Sequence, residues 1–129
     1  MYVRIHVSED ARGGSRPVRV LVDTGATYTM LPRRILKAVG VIPQDRVLVR
    51  LGDGRLMERD LGLAFVRYRK YFTPTWIMFG ERGDASVLGT LTLEELRLQV
   101  DPRSQRLREI KVALMVSLPT PGANAAART

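Results

Sequence analysis

The residues of this chain best placed to do chemistry are Asp23-Thr24-Gly25-Ala26, which follow directly on the apolar run Val20-Leu21-Val22. Such a run delivers Asp23 from the core, where an unpaired carboxylate is costly and needs a reason. The plainer alternative is an Asx turn at a strand end, with Asp23 capping backbone amides. Composition narrows the chemistry further. There is no cysteine and one histidine, His6, so thiol nucleophiles, iron–sulfur clusters and cysteine zinc sites are excluded. A Ser-His-Asp arrangement would have to use His6, and no nucleophile-elbow pattern accompanies it. Catalysis, if the chain performs any, is expected to run on carboxylates, with no metal and no cofactor.

Two further segments could complete a site around Asp23. Val87-Leu88-Gly89 is a second short apolar run ending in glycine. The Thr92-Leu93-Glu94-Glu95 segment behind it has capping-box spacing, with Thr92 as the expected N-cap of a short helix. Between the two lies Gly52-Asp53-Gly54, a hairpin signal flanked by Arg46–Leu51 and Arg55–Arg59, in which both turn positions can take positive φ.

The elements that must position these residues are mostly short strands. Tyr2–Val7 and Val18–Val22 read as an N-terminal hairpin with a long polar turn. A helix is expected over Arg33–Val39, with Pro32 at its first turn and Gly40 as its stop. Strands are expected at Leu61–Arg67 and Thr75–Phe79. Gln99-Val100 and Arg106–Ile110 flank a turn-rich connection, and a last strand is expected over Lys111–Leu118. At 129 residues the chain has room for one domain, taken as residues 1–118, and Pro119–Thr129 reads as an unfolded Pro/Ala-rich tail.

The order strand, Asp-Thr-Gly, hairpin, apolar-apolar-Gly, helix resembles that of the retropepsins, the single-domain aspartic proteases of retroviral type. It looks closest to their bacterial and archaeal relatives, with Val49–Arg55, Leu88–Glu94 and Val100-Asp101-Pro102 as supporting matches over roughly residues 2–110. The resemblance implies an all-β fold: a closed, barrel-like monomer with one or two short helices, functional as a symmetric homodimer. It also implies an aspartic endopeptidase acting on a peptide or protein substrate. Peptide hydrolysis by carboxylates needs one group to take a proton from water and another to give one to the carbonyl oxygen. Two carboxylates about 3 Å apart cannot both ionise and so share a proton. The chain holds a single Asp-Thr-Gly, so the second carboxylate must be Asp23 of another copy.

Within that resemblance Asp23 is catalytic, and Thr24, Gly25 and Ala26 form the active-site loop. Thr24 would reach across the two-fold axis, Gly25 would let the backbone approach the substrate, and Ala26 would leave it room. Gly52, Asp53 and Gly54 would be a flap closing over a peptide bound as an added strand, or else an ordinary solvent hairpin. Val87, Leu88 and Gly89 form the second glycine motif; Gly89 either packs closely beneath the loop or merely opens the helix. Met30, Leu51, Leu56, Trp76 and Val87 are candidates for side-chain pockets or for core. The chain departs from the retroviral pattern in three places. Thr90 follows Gly89 where an arginine braces the dimer, Thr27-Tyr28 stand where acidic residues occur, and the flap has fewer glycines.

The net charge of +8 comes from 18 Arg and 3 Lys against 13 Asp and Glu. The cluster Arg67-Tyr68-Arg69-Lys70-Tyr71-Phe72 interleaves cations with aromatics, as single-strand binders do, but reads first as a strand end with solvated arginines, so nucleic acid is not an expected partner. A cytoplasmic location and no membrane association are expected, because neither a membrane helix nor a signal peptide is visible. Tyr2–Ile5 and Lys111–Val116 are candidate dimer strands. Two other readings stand beside the protease: a non-catalytic retropepsin-fold module for dimerisation or for an acidic partner such as nucleic acid, and a β-barrel of unrelated function.

Overall fold

A computed structural model describes residues 1–112 of the chain. Alternation of apolar and polar residues builds the first hairpin, in which β1 (Tyr2–Ser8) pairs antiparallel with β2 (Arg16–Val22). Ile5, Val7, Val18 and Val20 point inward and are buried, while Arg4 and Arg19 take the outer face. After the Asp23 loop come β3 (Thr29–Pro32) and α1 (Arg33–Val39). Gly40 ends the helix in the left-handed region, at φ 95°, and its N–H returns to the Lys37 carbonyl.

The second half supplies β4 (Asp45–Arg50), β5 (Leu56–Tyr68), β6 (Tyr71–Gly80), β7 (Val87–Leu88) and α2 (Thr90–Glu95). The strands run β1-β2-β7-β3-β6-β5, and β5 pairs back onto β1, so six strands close into a barrel with β4 continuing outward from β5. β7 lies between β2 and β3, parallel to the first and antiparallel to the second, and so ties the second glycine motif to the Asp23 strand. A separate hairpin, β8 (Leu98–Asp101) with β9 (Arg106–Glu109), follows α2. Phe79, Ile5, Leu31, Leu36, Ile77 and Leu88 fill the barrel core. A second cluster, Met30, Leu61 and Met78, lies outside it and is covered by Val47 and Val49 of β4. No helix among the described residues is long and apolar enough to cross a membrane.

The all-β, closed-barrel reading with two short helices is the observed one. Several local expectations need correction. β3 was not expected; its residues are buried on both faces, so it shows no alternation. The two strands expected over 55–67 are one, β5, and β6 begins at Tyr71 rather than Thr75. Gly89, not Thr92, precedes α2 as its N-cap. Five residues, 51–55, separate β4 from β5, and of these only Gly54 has positive φ, at 88°. Lys111 and Val112 lie outside any strand. The rest of the strand expected to Leu118, and the 119–129 tail, lie outside the described residues.

Candidate active site

β2 carries Asp23 to the barrel's end, where it is half-buried rather than enclosed in the core. Its Oδ1 accepts the Gly25 N–H at 2.9 Å, the Asx turn that the plainer reading anticipates. The same carboxylate lines an open cleft of about 770 Å³, together with Gly25, Ala26 and residues of β4, β7 and the loop before β7. Thr24 and Gly25 are exposed. A Cβ added at Gly25 would stand 3.2 Å from Asp23 Oδ1, crowding the carboxylate.

The loop is fixed from below. The Asp23 N–H donates to the Leu88 carbonyl at 3.0 Å, and the Ala26 carbonyl accepts both the Thr90 N–H, at 2.8 Å, and the Thr90 hydroxyl, at 2.6 Å. The Leu91 N–H donates to the Thr27 carbonyl. Gly89 passes so close that a Cβ there would lie 2.5 Å from the Tyr28 carbonyl carbon and oxygen. That distance is shorter than any real contact. Its N–H donates to Thr29 Oγ1, which donates in turn to Thr92 Oγ1, and Thr92 also bonds Thr75 Oγ1 at 3.1 Å. These three threonines are buried, and their hydroxyls satisfy one another beneath the loop. Nothing in the sequence beside Thr29, Thr75 or Thr90 marks this bracing, and the spacing of Thr92 and Glu95 fits a helix cap. The signal available was weak: three separate threonines, linked only by long-range pairing.

Above the cleft, β4 and the Gly52 end of the hairpin supply the opposite wall. Asp53 and Gly54 at the tip do not line it. Of the pocket candidates, Met30, Leu51 and Val87 line the cleft, whereas Leu56 is exposed on the hairpin and Trp76 packs against the Met30 cluster. Ion pairs hold the stem of this hairpin. Arg46 of β4 bridges Glu58 and Asp60 of β5, and Asp60 also meets Arg33 of α1. Arg59 grips Asp84 with two bonds, at 2.7 and 3.0 Å, and Asp84 is itself part of the cleft wall. The Arg59 hydrogen bond is the main cause that holds the Asp84 carboxyl below its ordinary value of 3.8. No cluster of histidine and carboxylates suited to a metal occurs among the described residues.

Solved structures share this architecture. The chain is similar to EIAV protease, solved with the inhibitor HBY-793, at 15% identity and a TM-score of 0.56, covering 74% of this chain and 86% of that one. It is also similar to the retroviral protease-like domain of Ddi1 from Leishmania major, at 16% identity and a TM-score of 0.52, covering 87% and 90%. No curated protein matches by sequence. These likenesses establish a retropepsin-like fold. The aspartyl protease family model matches residues 10–90, a span that holds the Asp23 loop, the hairpin and the second glycine motif, and the chain belongs to that family.

Proposed function

We propose that this chain is an aspartic endopeptidase that works as a homodimer, with the two copies of Asp23 facing each other across a two-fold axis. One observation carries the reading. Asp23 stands at the mouth of a cleft on a loop tied to the barrel, and it is half-buried where a partner's loop could meet it. The exposed Thr24 is then free to bond the partner's loop. In the mechanism, one carboxylate takes a proton from water as the oxygen attacks the peptide carbon. The shared proton passes to the carbonyl oxygen, giving a neutral diol. The proton taken from water then moves to the amide nitrogen as the C–N bond breaks, and one diol hydroxyl returns its proton to the pair, leaving a carboxylic acid, an amine and the shared proton restored. Thr90, which bonds the Ala26 carbonyl in the same chain, holds the loop within one copy, at the position where retroviral enzymes carry an arginine that braces the dimer.

Asp23→Asn keeps the side-chain volume and removes the shared proton. It is expected to lower peptide cleavage at least about a thousandfold while leaving dimerisation, measured by sedimentation, intact. Specific activity should rise with protein concentration through the monomer–dimer range. Cleavage that survives in Asp23→Asn defeats the reading. A dimer that never cleaves any member of a peptide library would instead be a binding module.

A further inference from the structure

We propose that the outer face of the barrel formed by β6, β5, β1 and β2 binds single-stranded nucleic acid. The proposal does not need the protease reading; Tyr2–Ile5 of β1 is also a candidate dimer strand, whereas Arg67 and Phe72, which the test probes, lie outside that stretch. Register places its residues together: Phe72 opposes Arg67, Arg67 opposes His6, His6 opposes Pro17, and Arg4 opposes Arg19. The alternate positions, Val66, Val7, Ile5 and Val18, are buried in the core, so the first set faces out. The outward positions of these strands beyond the cleft carry no aspartate or glutamate. All 13 acidic residues of the chain fall within the described residues, so none is left to cover this face from outside them.

The cations here are free of carboxylates. Arg33, Arg46, Arg55, Arg59 and Arg108 are paired elsewhere, whereas Arg4, Arg19 and Arg67, and Arg69 and Lys70 at the β5–β6 turn, form no ion pair among the described residues. All of these but Arg4 lie beside rings instead. Arg19 sits 3.9 Å from the Tyr2 ring centre and Arg67 5.8 Å from that of Phe72, and Phe72 stacks at a tilt on Phe65, 5.5 Å away. Tyr2 is 55% exposed and Phe72 57%, unusual values for rings on a sheet. Guanidinium groups matched to phosphates and open aromatic faces matched to unstacked bases are the two components of single-strand recognition. A duplex hides its bases, and an acidic peptide would leave the rings unused.

The test is fluorescence anisotropy of the full chain with labelled oligothymidylate and oligouridylate across a salt series. Binding at low salt is expected, with log K falling against log salt at a slope of about −2 if three arginines meet phosphates. Arg67→Ala should reduce the magnitude of that slope by about 0.7. Phe72→Ala, on an exposed side chain whose loss leaves the core intact, should weaken binding at least about fivefold, while peptide cleavage is unchanged. The DNA and RNA probes report which sugar is preferred. No binding at low salt overturns the proposal. So does equal affinity in Phe72→Ala, or tighter capture by polyglutamate, the matching duplex or phosphatidylserine vesicles.

Discussion

The two loops that bound the cleft are held in opposite ways. The floor, Asp23 to Thr27, is bonded to residues far along the chain: Leu88, Thr90 and Leu91 hold its backbone, the Thr90 hydroxyl bond joining positions 64 residues apart. The hairpin tip holds only itself. The Leu51 N–H donates to the Arg55 carbonyl, the Gly54 N–H to the Leu51 carbonyl, and Asp53 bonds Arg55, all within four residues. A loop stitched to the barrel moves only when the barrel opens, while a self-contained tip can move alone. Under the proposed dimer mechanism, a carboxylate that meets its twin within about 3 Å needs the first kind of support, and a lid over substrate needs the second. Between them, the Arg59–Asp84 pair and the Arg46 bridges pin the hairpin stem, so motion is confined to the end.

The largest effect should come from breaking the floor. In Gly89→Ala the new methyl would lie 2.5 Å from Tyr28 backbone atoms, and backbone cannot step aside as a flexible side chain does. The φ of Gly89 is −87°, so the penalty is one of space and not of backbone conformation. A loss of about 3 kcal/mol or more in denaturant unfolding is expected. A variant within about 0.5 kcal/mol of the parent would show that the floor yields, and the contrast with the hairpin would fail.

A smaller effect is expected at the stem. Arg59→Met fills similar space but leaves the Asp84 carboxylate, 15% exposed, without its partner. Removing one member of a buried pair costs about 3–5 kcal/mol, and at this partly wetted rim about 2 kcal/mol is expected. The pH dependence gives a second readout. Asp84 is held below 3.8 in the folded protein, chiefly by the Arg59 hydrogen bond. Its contribution is therefore full above 3.8 and is lost as pH falls through the lower folded value. Arg59→Met should flatten this acid-side loss, measured by unfolding between about pH 5 and pH 3. An unchanged acid limb would show that the pair does not pin the stem.

Local chemistry was readable and long-range pairing was not. α1 with its Gly40 stop, the first hairpin and the Asp23 turn all follow from residues within a few positions of one another. Asp60 looks like a strand break in sequence, yet β5 runs through it because Arg33 and Arg46 converge on its carboxylate. Pro74 looks like a strand limit, but β6 has only β5 beside it there, since β3 joins at Ile77, so no ladder bond from its missing N–H is lost. Thr92 satisfies a capping-box pattern and is instead drawn into the core, where Thr29 and Thr75 offer better partners than a helix end in water. In the site, the Asp-Thr-Gly loop was visible because its turn is local. The hydroxyl that braces it, on Thr90, depends on which strand passes beneath.

The smallest effects should come from the hairpin tip, and two glycines there separate lid motion from stability. Gly54 has φ 88°, and Gly52 does not share this conformation; a Cβ at either meets nothing within 4 Å. Gly54→Ala should therefore cost about 1 kcal/mol from backbone conformation alone, and Gly52→Ala less than about 0.5 kcal/mol. Neither change approaches the effect of Gly89→Ala, because nothing from the rest of the chain rests on the tip. Gly52 lines the cleft, so its alanine should act mainly on peptide turnover, through KM, with thermal unfolding almost unmoved. If Gly52→Ala instead unfolds the protein at a much lower temperature, the tip bears structural load, and a freely closing lid is ruled out.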